Sequence, residues 1–196
     1  MIDTHAHLDQ DDFDADRDEV VARAEAAGVR TIVAVGTTAA TSETCVRLAA
    51  KYPGVYAAVG IQPNYVAEAV EGDWERIVRL VAEKGKNKIV AVGETGLDRH
   101  WDYSPFELQE DYFARHMRLA REHGLPFVVH MRDCEAAILR MLRDERRRGP
   151  LSGVMHSFTG NAAMAAECAA MGMHISFAGM VTYKKSDALR ECAAKI

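Results

Sequence analysis

The sequence of 196 residues contains few cysteines and no Cys-x-x-Cys pair. Its four cysteines are Cys45, Cys134, Cys168 and Cys192. Thiols this sparse and scattered do not resemble a disulfide framework, and they predict reduced, packed side chains of an intracellular protein. The chain shows no basic leader or apolar targeting segment, and no apolar run is long enough to span a membrane. We therefore expect a cytoplasmic protein without membrane partners.

The sequence also lacks an excess of positive charge, since its formal net charge is −5. This balance argues against nonspecific coating of nucleic acid, although it leaves open a nucleic-acid substrate bound where metal ions neutralise its charge. No linker, low-complexity stretch or charged tail interrupts the chain. With 48% apolar and 27% charged residues, the composition predicts one domain over residues 1–196.

The chain does contain a regular alternation of apolar, β-branched runs with amphipathic segments. After an initial strand, the predicted strands are Thr31–Val35, Val55–Val59, Ile89–Val92, Phe127–His130, Gly153–His156 and His174–Phe177. Because these runs are apolar on both faces, they predict parallel strands that helices cover on the outside. The sequence therefore predicts an α/β fold.

One predicted helix has a pronounced start signal. Ser104 occupies the N-cap position, Pro105 follows at the first helical position, and Glu107 stands at the third. This order predicts a capping box, in which the Ser104 hydroxyl and the Glu107 carboxylate accept hydrogen bonds from free backbone N–H groups.

Two histidines in the first strand, His5 and His7, form a His-x-His pair. In a strand this spacing places both side chains on one face, and imidazole is the commonest metal ligand in proteins. The pair alone is weak evidence, because the chain has 8 histidines and one such spacing can arise by chance. A second histidine pair, His130 and His156, ends two later strands.

Five potential metal ligands lie at or just past the C-terminal ends of predicted strands. They are His5, His7, Glu94, His130 and His156. In a TIM-type (β/α)8 barrel these strand ends converge on one mouth, whereas an open doubly wound sheet would spread them along a line. We therefore predict a TIM-type barrel, here with seven βα units and the eighth absent from the chain, and a shared metal site at its mouth.

The ligand types indicate the chemistry. Imidazoles with one carboxylate suit Zn²⁺ or a similar first-row ion. Glu94, between the two histidine pairs, can bridge two ions about 3.5–4 Å apart, which stabilise the attacking and leaving oxygens of a displacement. The set predicts a hydrolase with Glu94 as its catalytic residue. Gly93 and Gly96 either allow close backbone approach or only make a turn, and Asp98 either orients a ligand or only caps its loop.

With these residues in place, the chain resembles the TatD family of metal-dependent deoxyribonucleases, in the amidohydrolase-like group of barrels. The resemblance extends over the whole chain, and its motifs are Thr4-His5-Ala6-His7-Leu8-Asp9, Gly93-Glu94-Thr95-Gly96-Leu97-Asp98, His130-Met131-Arg132-Asp133, Met155-His156-Ser157-Phe158-Thr159-Gly160, and Ile175-Ser176-Phe177-Ala178-Gly179 followed by Lys184-Lys185.

The resemblance implies a barrel with two divalent ions, whether Zn, Mg or Mn. The first histidine pair would hold one ion, the second pair would hold the other, and Glu94 would bridge them. It also implies hydrolysis of phosphodiester bonds in DNA, often from a 3′ end. Arg132 and Lys185 are then candidates to contact substrate phosphate.

Two departures from the family pattern affect the expected activity. The family's third strand usually continues into Gly-Ile-His-Pro-His, whereas this chain has Gln62 and Asn64 at the two histidine positions. The family's eighth strand ends in Glu-Thr-Asp, and this chain supplies no such aspartate. We expect a C-terminally truncated family member with impaired turnover, an open barrel edge that favours self-association, and a weaker ion site at the first histidine pair than at the second.

Two alternative functions stay open. An amidohydrolase or lactonase would share the His-x-His pair, but its bridging group is usually a modified lysine at the end of the fourth strand, where this chain has Glu94. Alternatively, the chain could be a catalytically inactive scaffold that retains the fold. Turnover of single-stranded DNA with added Mg²⁺ or Mn²⁺ distinguishes an enzyme from a scaffold.

Overall fold

The computed structural model describes residues 1–196 and contains a single sheet of seven parallel strands in sequential order. The strands are β1 (Ile2–Ala6), β2 (Thr31–Val35), β3 (Val55–Val59), β4 (Ile89–Asp98), β5 (Phe127–Arg132), β6 (Gly153–Met155) and β7 (Met173–Ile175). Each strand pairs with the next along the chain, as the strands of a TIM barrel do. The predicted parallel α/β architecture is thus confirmed, with the sheet curved into part of a barrel.

A helix follows each strand and covers the outside of the sheet. The helices are α1 (Arg17–Ala26), α2 (Ala39–Lys51), α3 (Asp73–Ala82), α4 (Phe106–His123), α5 (Glu135–Arg146), α6 (Ala162–Met171) and α7 (Asp187–Lys195). In α3 the apolar residues recur at helical spacing, and Ile77 and Val81 are fully buried on the face toward the strands. None of the helices has the length and apolar character needed to cross a bilayer.

Alternation along the strands separates two apolar clusters. In β2, Ile32 and Ala34 belong to the large core between sheet and helices, while Val35 belongs to a small inner cluster with Ala58 and Val128. Side chains at every second position of a strand share a face. The inner cluster therefore fills the barrel interior below the mouth, with small side chains that leave the mouth open.

By the same alternation, the second histidine pair faces inward. His130 shares the parity of Val128 in β5, and His156 follows β6 with the parity of Val154, which packs against the inner cluster. The fold therefore places both imidazoles above the inner cluster, at the C-terminal ends of their strands.

Several predicted boundaries need correction. The fourth strand was expected to end at Val92, but β4 continues through Asp98, so Glu94 lies within the strand. Likewise β5 continues to Arg132, which places His130 inside the strand. Backbone hydrogen bonding between β4 and β5 extends both strands past their apolar runs, because Gly96 pairs with His130 and Asp98 with Arg132.

The predicted capping box at Ser104 is wrong. The Ser104 hydroxyl instead donates to the Asn64 carbonyl and accepts from the Ala67 N–H, each at 3.1 Å, and Pro105 occupies the N-cap position. Tertiary contact with the β3–α3 connection thus takes the hydroxyl away from its own helix. A capping box does occur at α2, where the Thr38 and Thr41 side chains each accept from the other's backbone N–H.

The two outermost strands each have one unpaired edge. β1 pairs only with β2, and β7 pairs only with β6. The backbone N–H and C=O groups along their outer edges have no partner strand.

All four cysteines are buried free thiols, and burial raises the pKa of Cys134 to about 12 and that of Cys168 to about 11.

Candidate metal centre

Two β-bulges lie in the strands that carry the first ligands. In β1 the segment Asp3–Ala6 spans three steps against two in β2, and in β4 the segment Val92–Thr95 spans three steps against two in β5. An extra residue bends the strand and re-aims the side chains beside it, and bulges are frequent next to active sites. The bulges contain His5 and Glu94, so both side chains are directed by irregular backbone.

Close approach of β4 to β5 depends on glycine. A Cβ atom at Gly96 would lie 2.1 Å from the His130 carbonyl oxygen, and one at Gly93 would lie 2.8 Å from the Val128 carbonyl oxygen. Both glycines also have a positive φ, near +131° and +135°. Of the two expectations for these glycines, the structure shows close backbone approach, which brings Glu94 and His130 side by side.

The first histidine pair and Glu94 form the tightest group of potential ligand atoms. The His5 and His7 Nε2 atoms are 3.2 Å apart, and the Glu94 Oε2 atom lies 3.6 Å from the first and 3.8 Å from the second. The His7 Nδ1 atom is 2.9 Å from the Val35 carbonyl, which can only accept. That contact places the proton of a neutral His7 on Nδ1 and leaves the Nε2 lone pair facing Glu94.

His130 lies between two carboxylates. Its Nδ1 atom is 3.0 Å from Glu94 Oε1, and its Nε2 atom is 2.8 Å from Asp98 Oδ2. Burial alone would lower the pKa of His130, but the hydrogen bonds to Asp98 and Glu94 raise it to about 9. Burial would likewise raise the pKa of both carboxyls, but His130 holds both well below their usual range. In this arrangement both ring nitrogens donate, and neither offers a free lone pair.

His156 approaches the centre by stacking. Its ring lies on that of His5, with centroids 3.4 Å apart and planes inclined by 11°. Burial and the neighbouring His5 lower the pKa of His156 to about 4. The imidazole is therefore neutral near pH 7, as a metal ligand must be. Its nitrogens lie outside the convergent group of His5, His7 and Glu94.

Asp98 connects three segments around the centre. Its Oδ1 atom accepts from the backbone N–H groups of His100 and Trp101, at 2.8 and 3.1 Å. Its Oδ2 atom accepts from Asn64 Nδ2 at 3.1 Å and contacts His130. The structure thus joins the two roles left open for Asp98, since one carboxylate both orients His130 and organises its own loop. Asn64, at one of the positions where the family usually has histidine, contacts this carboxylate.

Four of the five predicted ligands, all except His5, line a cavity of about 400 Å³ at the mouth of the partial barrel. Its lining residues are His7, Gln10, Thr37, Gln62, Tyr65, Glu94, His130, His156 and Ser157. Sequence reasoning did not select Gln10, Thr37, Tyr65 or Ser157 as site residues. Their common signal is position, because each follows the C-terminal end of a strand.

The two residues predicted to contact phosphate occupy different places. Arg132 ends β5 and is exposed, with its guanidinium carbon 5.6 Å from the Trp101 ring centroid. Lys185 lines a separate cavity beside α7, together with Tyr183 and Ser186. The structure therefore places Arg132 on the loop cluster around Asp98, whereas Lys185 lies outside the ligand-lined cavity.

Comparison with known proteins identifies the family. The family model described as TatD related DNase matches residues 2–196. The chain belongs to this TatD family of metal-dependent hydrolases. It is 38% identical over 196 residues to the uncharacterized metal-dependent hydrolase YabD of Bacillus subtilis, covering 100% of this chain and 75% of that protein.

Two further TatD relatives are informative. One is described as the 3′-5′ ssDNA/RNA exonuclease TatD of Cronobacter sakazakii; it is 36% identical, with 92% of this chain and 67% of that protein covered. The other is the crystal structure of YjjV, a TatD homologue from Escherichia coli K12, which matches with a TM-score of 0.91 and 30% identity, covering 100% of this chain and 74% of that one. The TatD chain described here thus spans about two thirds to three quarters of these relatives.

Proposed function

We propose that this chain is a metal-dependent phosphodiesterase that shortens single-stranded DNA from its 3′ end. The observation that carries the proposal is the convergence of His5, His7 and Glu94, whose ligand atoms all lie within 4.8 Å of one another. Buried carboxylate and imidazole groups in this arrangement are costly unless a cation or proton satisfies them. The membership of the TatD family and the description of a relative as an exonuclease support the choice of substrate.

The donor set fits divalent ions. Two imidazole Nε2 atoms and one carboxylate oxygen are donors that Zn²⁺ accepts, and Mg²⁺ or Mn²⁺ takes the carboxylate readily. The Nδ1 atom of His5 is buried without a hydrogen-bond partner, while its Nε2 atom lies in the group with His7 and Glu94. In this proposal the first ion would be held by this group, and a second ion by Glu94 with His130 and His156.

When bound, such ions would polarise the phosphodiester and lower the energy of the oxyanion that leaves. The protein's own residues have separate tasks. Glu94 stays ionised and holds the ligand histidines in orientation, while Asp98 fixes His130 through its Nε2 atom. Both ring nitrogens of His130 donate to carboxylates, so His130 must lose one proton before a nitrogen lone pair can bind an ion. The cavity of about 400 Å³ admits a terminal nucleotide rather than a duplex.

The amidohydrolase and lactonase alternative finds no support in the cavity. The bridging lysine of such enzymes would have to line the mouth, and no lysine is among the lining residues. Lys88, directly before β4, instead donates to the carbonyl of Ala49 in the last turn of α2 and to those of Tyr52 and Pro53 in the α2–β3 connection. In this proposal Glu94 would be the group shared by the two ions.

The test is cleavage of a 5′-labelled single-stranded oligonucleotide with Zn²⁺, Mg²⁺ or Mn²⁺ supplied in turn. We expect a ladder of products shortened from the 3′ end, abolished by a chelator and reduced at least about 10²-fold in Glu94→Gln. Glu167→Gln is the matched control, because it removes a glutamate that pairs with Arg143 on the protein surface. No cleavage with any of the ions, or equal rates for wild type and Glu94→Gln, would contradict the proposal.

A further inference from the structure

An exposed aromatic cluster lies beside the metal centre. The rings of Trp101 and Tyr103 are nearly parallel, with centroids 5.4 Å apart and planes inclined by 6°. They are 43% and 60% exposed, respectively. Large aromatic side chains that stay exposed next to a polar cavity are costly in water and are typical of recognition surfaces. We call the two rings the aromatic platform.

Cations border the platform. The guanidinium group of Arg132 lies over the Trp101 ring, and that of Arg99 lies 3.7 Å from the Phe106 ring centroid. Neither arginine forms an ion pair with a carboxylate, although lysine and arginine side chains form 15 such pairs elsewhere in the molecule. The backbone N–H of Arg99 donates to the Arg132 carbonyl at 2.9 Å, which ties the two loops together. Flat rings beside unpaired cations match the chemistry of a base attached to a phosphate.

The platform is held at a short, fixed distance from the centre. The Trp101 backbone N–H donates to Asp98 Oδ1, while Asp98 Oδ2 contacts His130. One carboxylate therefore separates the platform from a residue of the metal centre. The ring of His100 packs edge-on against Trp101, with centroids 4.8 Å apart, and pairs with Asp133 on its other side. These contacts connect Trp101 to the loop that Asp98 organises.

We propose that the aromatic platform stacks a nucleobase of the substrate strand next to the phosphodiester at the metal centre. The inference rests on the proposed function and adds the group that holds the strand. A chain with net charge −5 attracts a polyanion weakly, so affinity must come from contacts other than charge. Stacking supplies such contacts without a sequence requirement, because every base has a π-face, and it demands an unpaired base.

The experiment measures binding of a fluorescent single-stranded oligonucleotide in the presence of a chelator, so that no cleavage occurs. Trp101→Leu keeps apolar bulk but removes the ring, and it should weaken binding roughly 5- to 150-fold, while Trp101→Phe should restore most of the affinity. The matched control is Tyr52→Leu, which removes a ring at the end of α2, remote from the strand ends that form the mouth. Equal losses in Trp101→Leu and Tyr52→Leu would overturn the proposal.

Abasic oligonucleotides test the stack directly. Replacing one nucleotide at a time near the 3′ end should reveal one position at which loss of the base weakens binding by wild type but not by Trp101→Leu. Because stacking involves no charge, the plot of log Kd against log salt concentration should have the same slope for wild type and Trp101→Leu. Arg132→Gln removes a cation that contacts phosphate, so its slope should be smaller by about 0.7. If Trp101→Leu bound every abasic oligonucleotide more weakly than wild type by the same factor, the stacking proposal would be contradicted.

A second measurement leaves the platform unchanged. In Trp74→Phe, Trp101 is the remaining tryptophan, and its fluorescence should be quenched by an oligonucleotide but not by one that is abasic at the sensitive position. Cleavage of the intact oligonucleotide is recorded in parallel with metal. Cleavage without base-dependent quenching would refute the platform alone, whereas base-dependent quenching without any cleavage would refute the proposed function alone.

Discussion

Acid should destabilise this fold through one fully buried histidine that takes no part in the metal centre. His116 on α4 accepts a hydrogen bond from the Ile61 N–H at Nε2, at 3.0 Å, and donates from Nδ1 to the Tyr112 carbonyl at 2.7 Å. Both ring nitrogens are committed to the neutral form, because a second proton would face the Ile61 N–H. Burial lowers the pKa of His116 from 6.5 to about 4.

The magnitude follows from this shift. Between its folded and unfolded pKa values, His116 binds fewer protons in the folded state, so its contribution to stability is complete above pH 6.5 and decreases as pH falls toward 4. A difference of one pKa unit corresponds to about 1.4 kcal/mol. The free energy of unfolding should therefore fall by about 2 kcal/mol between pH 7 and pH 5 from this group alone, and by about 3 kcal/mol at still lower pH.

Urea unfolding at a series of pH values measures the effect. His116→Gln does not titrate, and its amide oxygen can accept from Ile61, so the free-energy difference between wild type and this variant isolates the histidine even though His156 also titrates. His174→Gln, which removes an exposed ring from β7, serves as control. A difference between wild type and His116→Gln that stays constant from pH 7 to pH 5 would refute the reasoning.

Three further predictions concern the centre and the sheet edge. Gly96→Ala should lower the free energy of unfolding by about 1–3 kcal/mol or more and abolish activity, because its Cβ would clash with the His130 carbonyl. Thermal unfolding and DNA cleavage measure these effects, and a melting temperature equal to that of wild type would contradict the prediction. Mn²⁺ titration should show a larger loss of affinity in His5→Ala than in His130→Ala, since carboxylates engage both ring nitrogens of His130. The reverse order would instead support the sequence-based expectation of a weaker ion site at the first histidine pair. Sedimentation should show concentration-dependent association through the open edges of β1 and β7, and a monomer at every concentration would exclude it.

The sequence predicts the strands well where the apolar run has the same bounds as the backbone pairing. The runs Thr31–Val35 and Val55–Val59 are strands with the expected bounds, because their side chains are buried on both faces. The end of β4 was not predictable from apolar pattern, since Glu94 and its flanking glycines are polar or small and join the strand through pairing with β5. Ser104 had the local signal of a cap but hydrogen-bonds across to the β3–α3 connection.

The candidate site could also be predicted only in part. The positions of the histidines and Glu94 followed from strand ends, because all parallel strands end on one side of the sheet. Which atoms converge could not be predicted, since this depends on two bulges and on rotamers that alternation does not fix. The role of His116 could not be predicted from the sequence. It lies in the middle of an amphipathic helix without any motif, and only the tertiary structure shows that it accepts a hydrogen bond from the Ile61 N–H.

The bulge in β4 sets how the chain can change in length. With one extra residue between Val92 and Thr95, the residues before the bulge and those after it both keep their register with β5. Removing a single residue there would leave a regular strand in which Leu97 still pairs with Met131, but it would remove the irregular backbone that directs Glu94. Insertions and deletions should therefore be tolerated in the connections on either side of β4, such as residues 83–88, while the length of residues 92–98 stays fixed.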